Sequence, residues 1–84
     1  MFNLKFHDEL EKRAYEYIEQ APKGWLRVTR RGSKFYVAEA NLEDSPEIKA
    51  LGPTIAYVLK HRYDFYKATY HAEANCITAE SKND

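Results

Sequence analysis

Apolar residues recur at helical spacing near the start of the chain. Leu10, Ala14, Tyr17, Ile18 and Ala21 lie three or four positions apart, which puts them on one face of a helix over residues 7–21. Asp8 followed by Glu11 reads as a helix start. Pro22 and Gly24 stop it. Residues 2–6, FNLKF, fit two patterns. Phe2, Leu4 and Phe6 alternate like a strand, whereas Leu4, His7 and Leu10 lengthen the helical stripe. The helical reading is preferred.

The period then changes to two. Residues 25–40, WLRVTRRGSKFYVAEA, hold two β-rich runs around Gly32-Ser33, and glycine first in a two-residue loop suits a type II′ turn. That turn pairs Arg31 with Lys34, Arg30 with Phe35, Thr29 with Tyr36 and Val28 with Val37. Side-chain parity places Leu26, Val28, Phe35 and Val37 on a core face. Trp25, Arg27, Thr29, Arg31, Lys34 and Tyr36 form an outer face, basic and aromatic together.

Residues 41–46 read as an acidic loop, with Ser45 and Pro46 as N-cap and first residue of a short helical turn. Gly52-Pro53 interrupts that turn. A long helix is then predicted from Thr54 to Ala79, roughly 39 Å at 1.5 Å per residue. A compact domain of this size has a radius of gyration of only about 12 Å. Ile55, Leu59, Tyr63, Tyr66, Tyr70 and Ile77 make one stripe of this helix, and Val58, Phe65 and Ala72 flank it. The stripe is core in its N-terminal half. Tyrosine hydroxyls need partners or water, so the C-terminal half, with Phe65, Tyr66, Tyr70, His71 and Glu73, reads as a protein-contact surface. The predicted fold is α+β: a helix, a two-stranded antiparallel hairpin, a short helical turn and a long C-terminal helix packed on one sheet face. Residues 1–84 form a single domain whose polar end, 80–84, frays.

Charge adds little at the level of the whole chain. Thirteen basic residues balance thirteen acidic ones, so no net field draws it to nucleic acid or an anionic membrane. Locally the balance is uneven. Lys23, Arg27, Arg30, Arg31 and Lys34 cluster around the hairpin, and Glu39, Glu43, Asp44 and Glu47 follow it. The single cysteine, Cys76, rules out an internal disulfide framework. The N-terminus lacks the charged-then-apolar pattern of a signal peptide, and no apolar run is long enough to span a membrane. A cytoplasmic protein is the expectation.

Candidate chemistry is thin. On the predicted helix, His61 and His71 sit nearly three turns apart, too far to share a metal ion. His71 and Cys76 point about 140° from each other at helical spacing. Cys76 near a helix C-terminus is poorly placed to ionise. The three glycines are scattered, so no phosphate-binding loop is present, and no metal-binding or nucleotide-binding motif occurs. No enzyme activity, cofactor or metal is expected.

What remains is recognition. The first expectation is a small non-enzymatic protein that binds another protein and regulates or inhibits it, of the kind found among bacterial and phage accessory proteins. A homodimer through the long helix is a related expectation, although its seam covers barely two heptads and a coiled coil needs about three. The alternative is a nucleic-acid binder, with Trp25 and Tyr36 stacking on bases and Arg27, Arg30, Arg31 and Lys34 contacting phosphates.

Overall fold

The computed structural model describes residues 8–22, 24–31, 35–63 and 65–82, with backbone alone at 28–31, 35–36 and 82. The alternative readings of residues 2–6, the turn at Gly32-Ser33 and the placement of Lys34 lie outside the described residues.

Helix α1 runs Glu9–Gln20 as the apolar spacing requires. Asp8 caps it, its carboxylate accepting from the Glu11 backbone N–H at 2.9 Å. Gly24 takes a φ of 86° in the turn beyond, a conformation glycine adopts without strain. The buried face is rotated from the predicted one. Leu10 is 47% exposed, whereas Ala14 and Glu11 are buried. The reason is the partner available on the second helix, described below.

Strands β1 (Arg27–Arg31) and β2 (Phe35–Asn41) form the antiparallel hairpin. Their register differs from the predicted one. Arg31 pairs with Tyr36, Arg30 with Val37, Val28 with Ala38 and Arg27 with Glu39, with a bulge between Val28 and Arg30. The extra residue lies in β1, whereas β2 pairs without a shift to β4 along its whole length, Ala38 facing Ala79 and Ala40 facing Ile77. Ala38 and Ala40, beside the buried Ala79 and Ile77, face the core and Val37 is half-buried, in place of the predicted Val37 core face.

The second half of the chain departs most from expectation. Helix α2 spans Pro46–Arg62, with Ser45 as N-cap and Pro46 in the first turn. The short turn and the start of the long helix are thus one element, continuous through Gly52-Pro53. An interior proline lacks one helix hydrogen bond and costs about 3 kcal/mol. Ile55, Val58 and Leu59 on the same helix are at most 1% exposed, and each contributes about 1.5–3 kcal/mol by burial. That is enough to carry the helix past Pro53. The helix ends at Arg62, and the remainder forms β3 (Lys67–His71) and β4 (Cys76–Lys82). The long C-terminal helix does not exist, and neither does the helical dimer seam drawn along it. Glu80–Lys82, expected to fray, lie in β4.

The four strands make one antiparallel sheet in the order β1-β2-β4-β3, not an isolated hairpin. Ala38 pairs with Ala79 and Ala40 with Ile77. Ala68 pairs with Ala79 and Tyr70 with Ile77. This alanine-rich face meets α2, which packs against β3 and β4 while α1 packs on α2, and Ile77, Ala68 and Tyr70 join the core cluster there. The α+β class holds, but the sheet is covered by α2, with α1 packed on α2, and not by a C-terminal helix laid on the hairpin. The radius of gyration is 12.8 Å, a value a 39 Å helix would strain. Among the described residues no helix is long and apolar enough to cross a membrane.

Candidate functional site: a helix-strand groove beside Tyr57

On α2, Leu51, Ile55, Val58 and Leu59 turn inward. The same spacing sends Pro53, Tyr57, Lys60 and His61 outward, because positions three or four apart share a face. These four form a ridge. Tyr57 is 41% exposed, and its ring lies 4.2 Å from that of His61 at an angle of 35°.

Grooves flank the ridge on both sides. One, of about 300 Å³, lies toward the start of α1 and is lined by Asp8, Glu11 and Thr54 together with Pro53 and Tyr57. The other, of about 400 Å³, lies between α2 and β3. Its helix wall is the ridge, and Ala68, Thr69 and Tyr70 supply the strand wall. Ala56 and Ala68 are both small, which is why helix and strand leave a depression where they meet. The charge differs between the two. Asp8 lines the first, together with Glu11, whose carboxylate is bound by Arg62. Lys60 and His61 line the second, with no acidic side chain among its described lining.

The groove is held open by close packing beneath it. Tyr70 lies across α2 at Gly52, where an added Cβ would sit 2.5 Å from the ring. The Tyr70 hydroxyl donates to Asn75 Oδ1 at 2.9 Å, so the ring is tied at its far end. Asn75 has a φ of 51° and its side-chain amide donates to the carbonyls of Leu42 at 3.3 Å and Glu43 at 3.2 Å. One residue thereby ties the β3–β4 turn to the segment leading into α2.

The first groove is backed by an ion pair. Arg62 Nη2 lies 2.6 Å from Glu11 Oε1, and the Arg62 Nε donates to the same oxygen at 2.7 Å. The Glu11 side chain is only 4% exposed. Nearby, Tyr63 stacks on Tyr15 with centroids 6.0 Å apart, and its hydroxyl donates to Glu19. Burial, with the Glu19 hydrogen bond, pushes the Tyr63 phenol well above its usual range. At the start of α2, the Lys49 ammonium bonded to Asp44 holds that carboxyl below the usual range.

The sequence-predicted contact residues do not form one stripe. Phe65 and Tyr70 are half-buried and pack against the core. Tyr66 is 50% exposed just before β3, with its hydroxyl 3.3 Å from Glu80 Oε1. His71 lies on the opposite sheet face from Tyr70, its Nε2 2.9 Å from Thr78 Oγ1. Glu73 is exposed in the turn. Strand geometry separates residues that helical spacing had aligned. It also brings together residues that helical spacing had separated: His71 and Cys76 are directly paired across β3 and β4, not about 140° apart.

The basic-aromatic hairpin face is altered too. Trp25 precedes β1 and packs edge-on against Tyr17 with centroids 5.8 Å apart. Its indole N–H donates to the Asn41 carbonyl at 3.0 Å. Trp25 is therefore a clasp between α1 and the end of β2, not a stacking platform on the hairpin. Arg27 is exposed and lies opposite Glu39 in the β1–β2 register. Arg30, Arg31 and Tyr36 are described as strand backbone alone. Among the described residues no three His, Cys, Asp or Glu side chains gather as metal ligands.

Sequence reasoning missed Tyr57 and Lys60 as a surface because attention went to the tyrosine stripe of the predicted helix, and missed Pro53 because the helix was broken at Gly52-Pro53. Once α2 is continuous and ends at Arg62, Pro53 joins Tyr57, Lys60 and His61 on its outer face. Neither a family model, nor a curated protein, nor a solved structure matches this chain.

Proposed function

We propose that this chain is a non-enzymatic domain that binds another protein and regulates it by occupying part of its surface. The observation that carries this reading is the Tyr57 ridge. A large aromatic ring stands 41% exposed between a carboxylate-bearing groove and a basic one. Aromatic side chains combine apolar area with low entropy cost and are enriched where proteins meet. The two grooves offer pockets for partner side chains on either side of that anchor.

Selection of a displayed random-peptide library against the folded protein tests this. Peptides are expected to be enriched whose binding is lost in Tyr57→Ala and retained in Glu73→Ala. Failure to enrich any peptide, or equal binding by Tyr57→Ala, removes the ridge as the binding surface.

A second reading keeps nucleic acid at the far edge of the sheet. Edge strand β1 carries Arg27, Arg30 and Arg31 within five residues. On that reading, single-stranded nucleic acid binds with an affinity that falls as salt rises. Arg27→Ala with Arg31→Ala flattens the slope. An unchanged slope removes those arginines as phosphate contacts.

A further inference from the structure

Resting on the protein-binding reading above, we infer that the groove between α2 and β3 takes an extended, acidic segment of the partner, which adds to the sheet as a strand beside β3.

The edge itself comes first. In the order β1-β2-β4-β3, strand β3 has β4 on one side and, among the described residues, no strand on the other. An edge strand presents a row of backbone donors and acceptors that another extended chain can pair with. The groove lies along this edge: Ala68, Thr69 and Tyr70 of β3 form its wall. A segment pairing with β3 would run along that wall, with alternate side chains turned toward the Tyr57 ridge.

Chemistry then selects the occupant. The floor over Ala56 and Ala68 is small and apolar, suited to one aliphatic or aromatic side chain in a space of about 400 Å³. Lys60 and His61 line the same groove with no carboxylate among its described lining. The complementary strand carries a carboxylate two residues from an apolar side chain, so that both point to the groove side. A second copy of this chain is a poor occupant. Antiparallel pairing of β3 with itself about Thr69 would set Lys67 opposite His71 twice and would give neither a carboxylate partner across the new ladder. Lysine on an edge strand also guards against self-pairing.

The test combines peptide selection with amide exchange. Peptides selected on the folded protein are synthesised, and backbone amide exchange is followed residue by residue by NMR with and without each peptide. The expected result has three parts. Selected peptides show the acidic–x–apolar or apolar–x–acidic pattern. Alternate amides within Lys67–His71 slow on binding. Lys60→Glu weakens the acidic peptides by about fivefold, as an exposed ion pair of this kind allows. Peptides that bind and shift α2 without protecting β3 overturn strand addition and leave the protein-binding reading standing. Basic peptides overturn the charge assignment. Protection of β3 that rises with protein concentration alone assigns the edge to a second copy instead. If no peptide is selected at all, the binding reading falls and this inference falls with it.

Discussion

Gly52 is the residue at which the packing of this molecule is least forgiving. A Cβ there meets the Tyr70 ring at 2.5 Å, and the ring is tethered through its hydroxyl to Asn75. Gly52→Ala gains about 1 kcal/mol of helix propensity, but overpacking of this kind costs about 3 kcal/mol. A net loss of about 2 kcal/mol is expected, lowering the melting temperature by roughly 10 °C in a domain of this size. Calorimetry checks it. Adding Tyr70→Leu removes the clashing ring, so the double variant is expected to lose less than the sum of the singles. A simple sum would show that the contact does not limit the packing. Asn75 supports a second residue-level expectation. Its left-handed backbone is cheap for glycine and costs about 1 kcal/mol for alanine, while both substitutions remove the side-chain bonds to Leu42, Glu43 and Tyr70. Asn75→Ala is therefore expected to be less stable than Asn75→Gly by about 1 kcal/mol in urea denaturation. Neither role was legible in the sequence. A Gly-Pro pair signals a break in most contexts, and only a tertiary neighbour such as Tyr70 reveals that the glycine is there to admit a ring.

Elements were legible where local signals agreed. α1 has a cap, an apolar stripe and a Pro-Gly stop, and it forms within a residue or two of the expected bounds. The α2 start was likewise written in Ser45-Pro46. β3 and β4 were read as helix for a physical reason. Tyr66, Tyr70 and Ile77 fit helical spacing, and Ala72, Glu73 and Ala74 are good helix formers. Those three instead occupy the turn between the strands, closed by Asn75 N–H to the Ala72 carbonyl at 3.3 Å. The alternation Lys67-Ala68-Thr69-Tyr70-His71 fits a strand equally well, with Ala68 and Tyr70 inward. Length should have decided between them, since the predicted helix exceeded the size of the domain. The rotation of α1 was illegible because it depends on Arg62, distant in sequence, reaching Glu11. Removing one member of a buried pair strands the other, and losses of about 3–5 kcal/mol are usual. Arg62 is 22% exposed and can reach water, so Glu11→Ala is expected near the lower figure, about 3 kcal/mol. The paired variant Glu11→Met with Arg62→Leu is expected to recover most of that loss in the same denaturation assay. No recovery would mean that the charges stabilise α1 on α2 beyond what apolar packing supplies.

At the scale of the whole molecule, alkaline pH probes how α1, α2 and the segment after α2 hold together. Tyr63 closes α2, stacks on Tyr15 of α1 and donates to Glu19. Burial and that hydrogen bond keep its phenol protonated in the fold, with the pKa raised from 10.0. The sign follows directly: the contribution is complete below pH 10, where both folded and unfolded phenols are neutral. It is lost as pH rises further, because the unfolded chain ionises first. Stability is therefore expected to fall above pH 10, with Tyr63→Phe flattening that fall; an identical alkaline limb in the variant would place the sensitivity elsewhere. The same whole-molecule view bears on whether copies of this chain would pair through the edges of the described sheet. The outermost strands are β1, with Arg27, Arg30 and Arg31, and β3, with Lys67 and His71. Each edge carries basic residues in its sequence, and on β3 Lys67 is the charged one, with its Nζ 3.7 Å from Glu80 Oε2; lysine on an edge disfavours pairing with a copy. If charge is what guards β3, replacing it with β-branched apolar residues should expose the edge. Lys67→Val with His71→Val is expected to make association in sedimentation velocity stronger and more concentration-dependent than in the unsubstituted protein, while Lys67→Arg leaves it unchanged. A double variant that associates no more strongly at high concentration would show that shape, not charge, closes this edge, and the groove along it would then be a poor seat for any added strand.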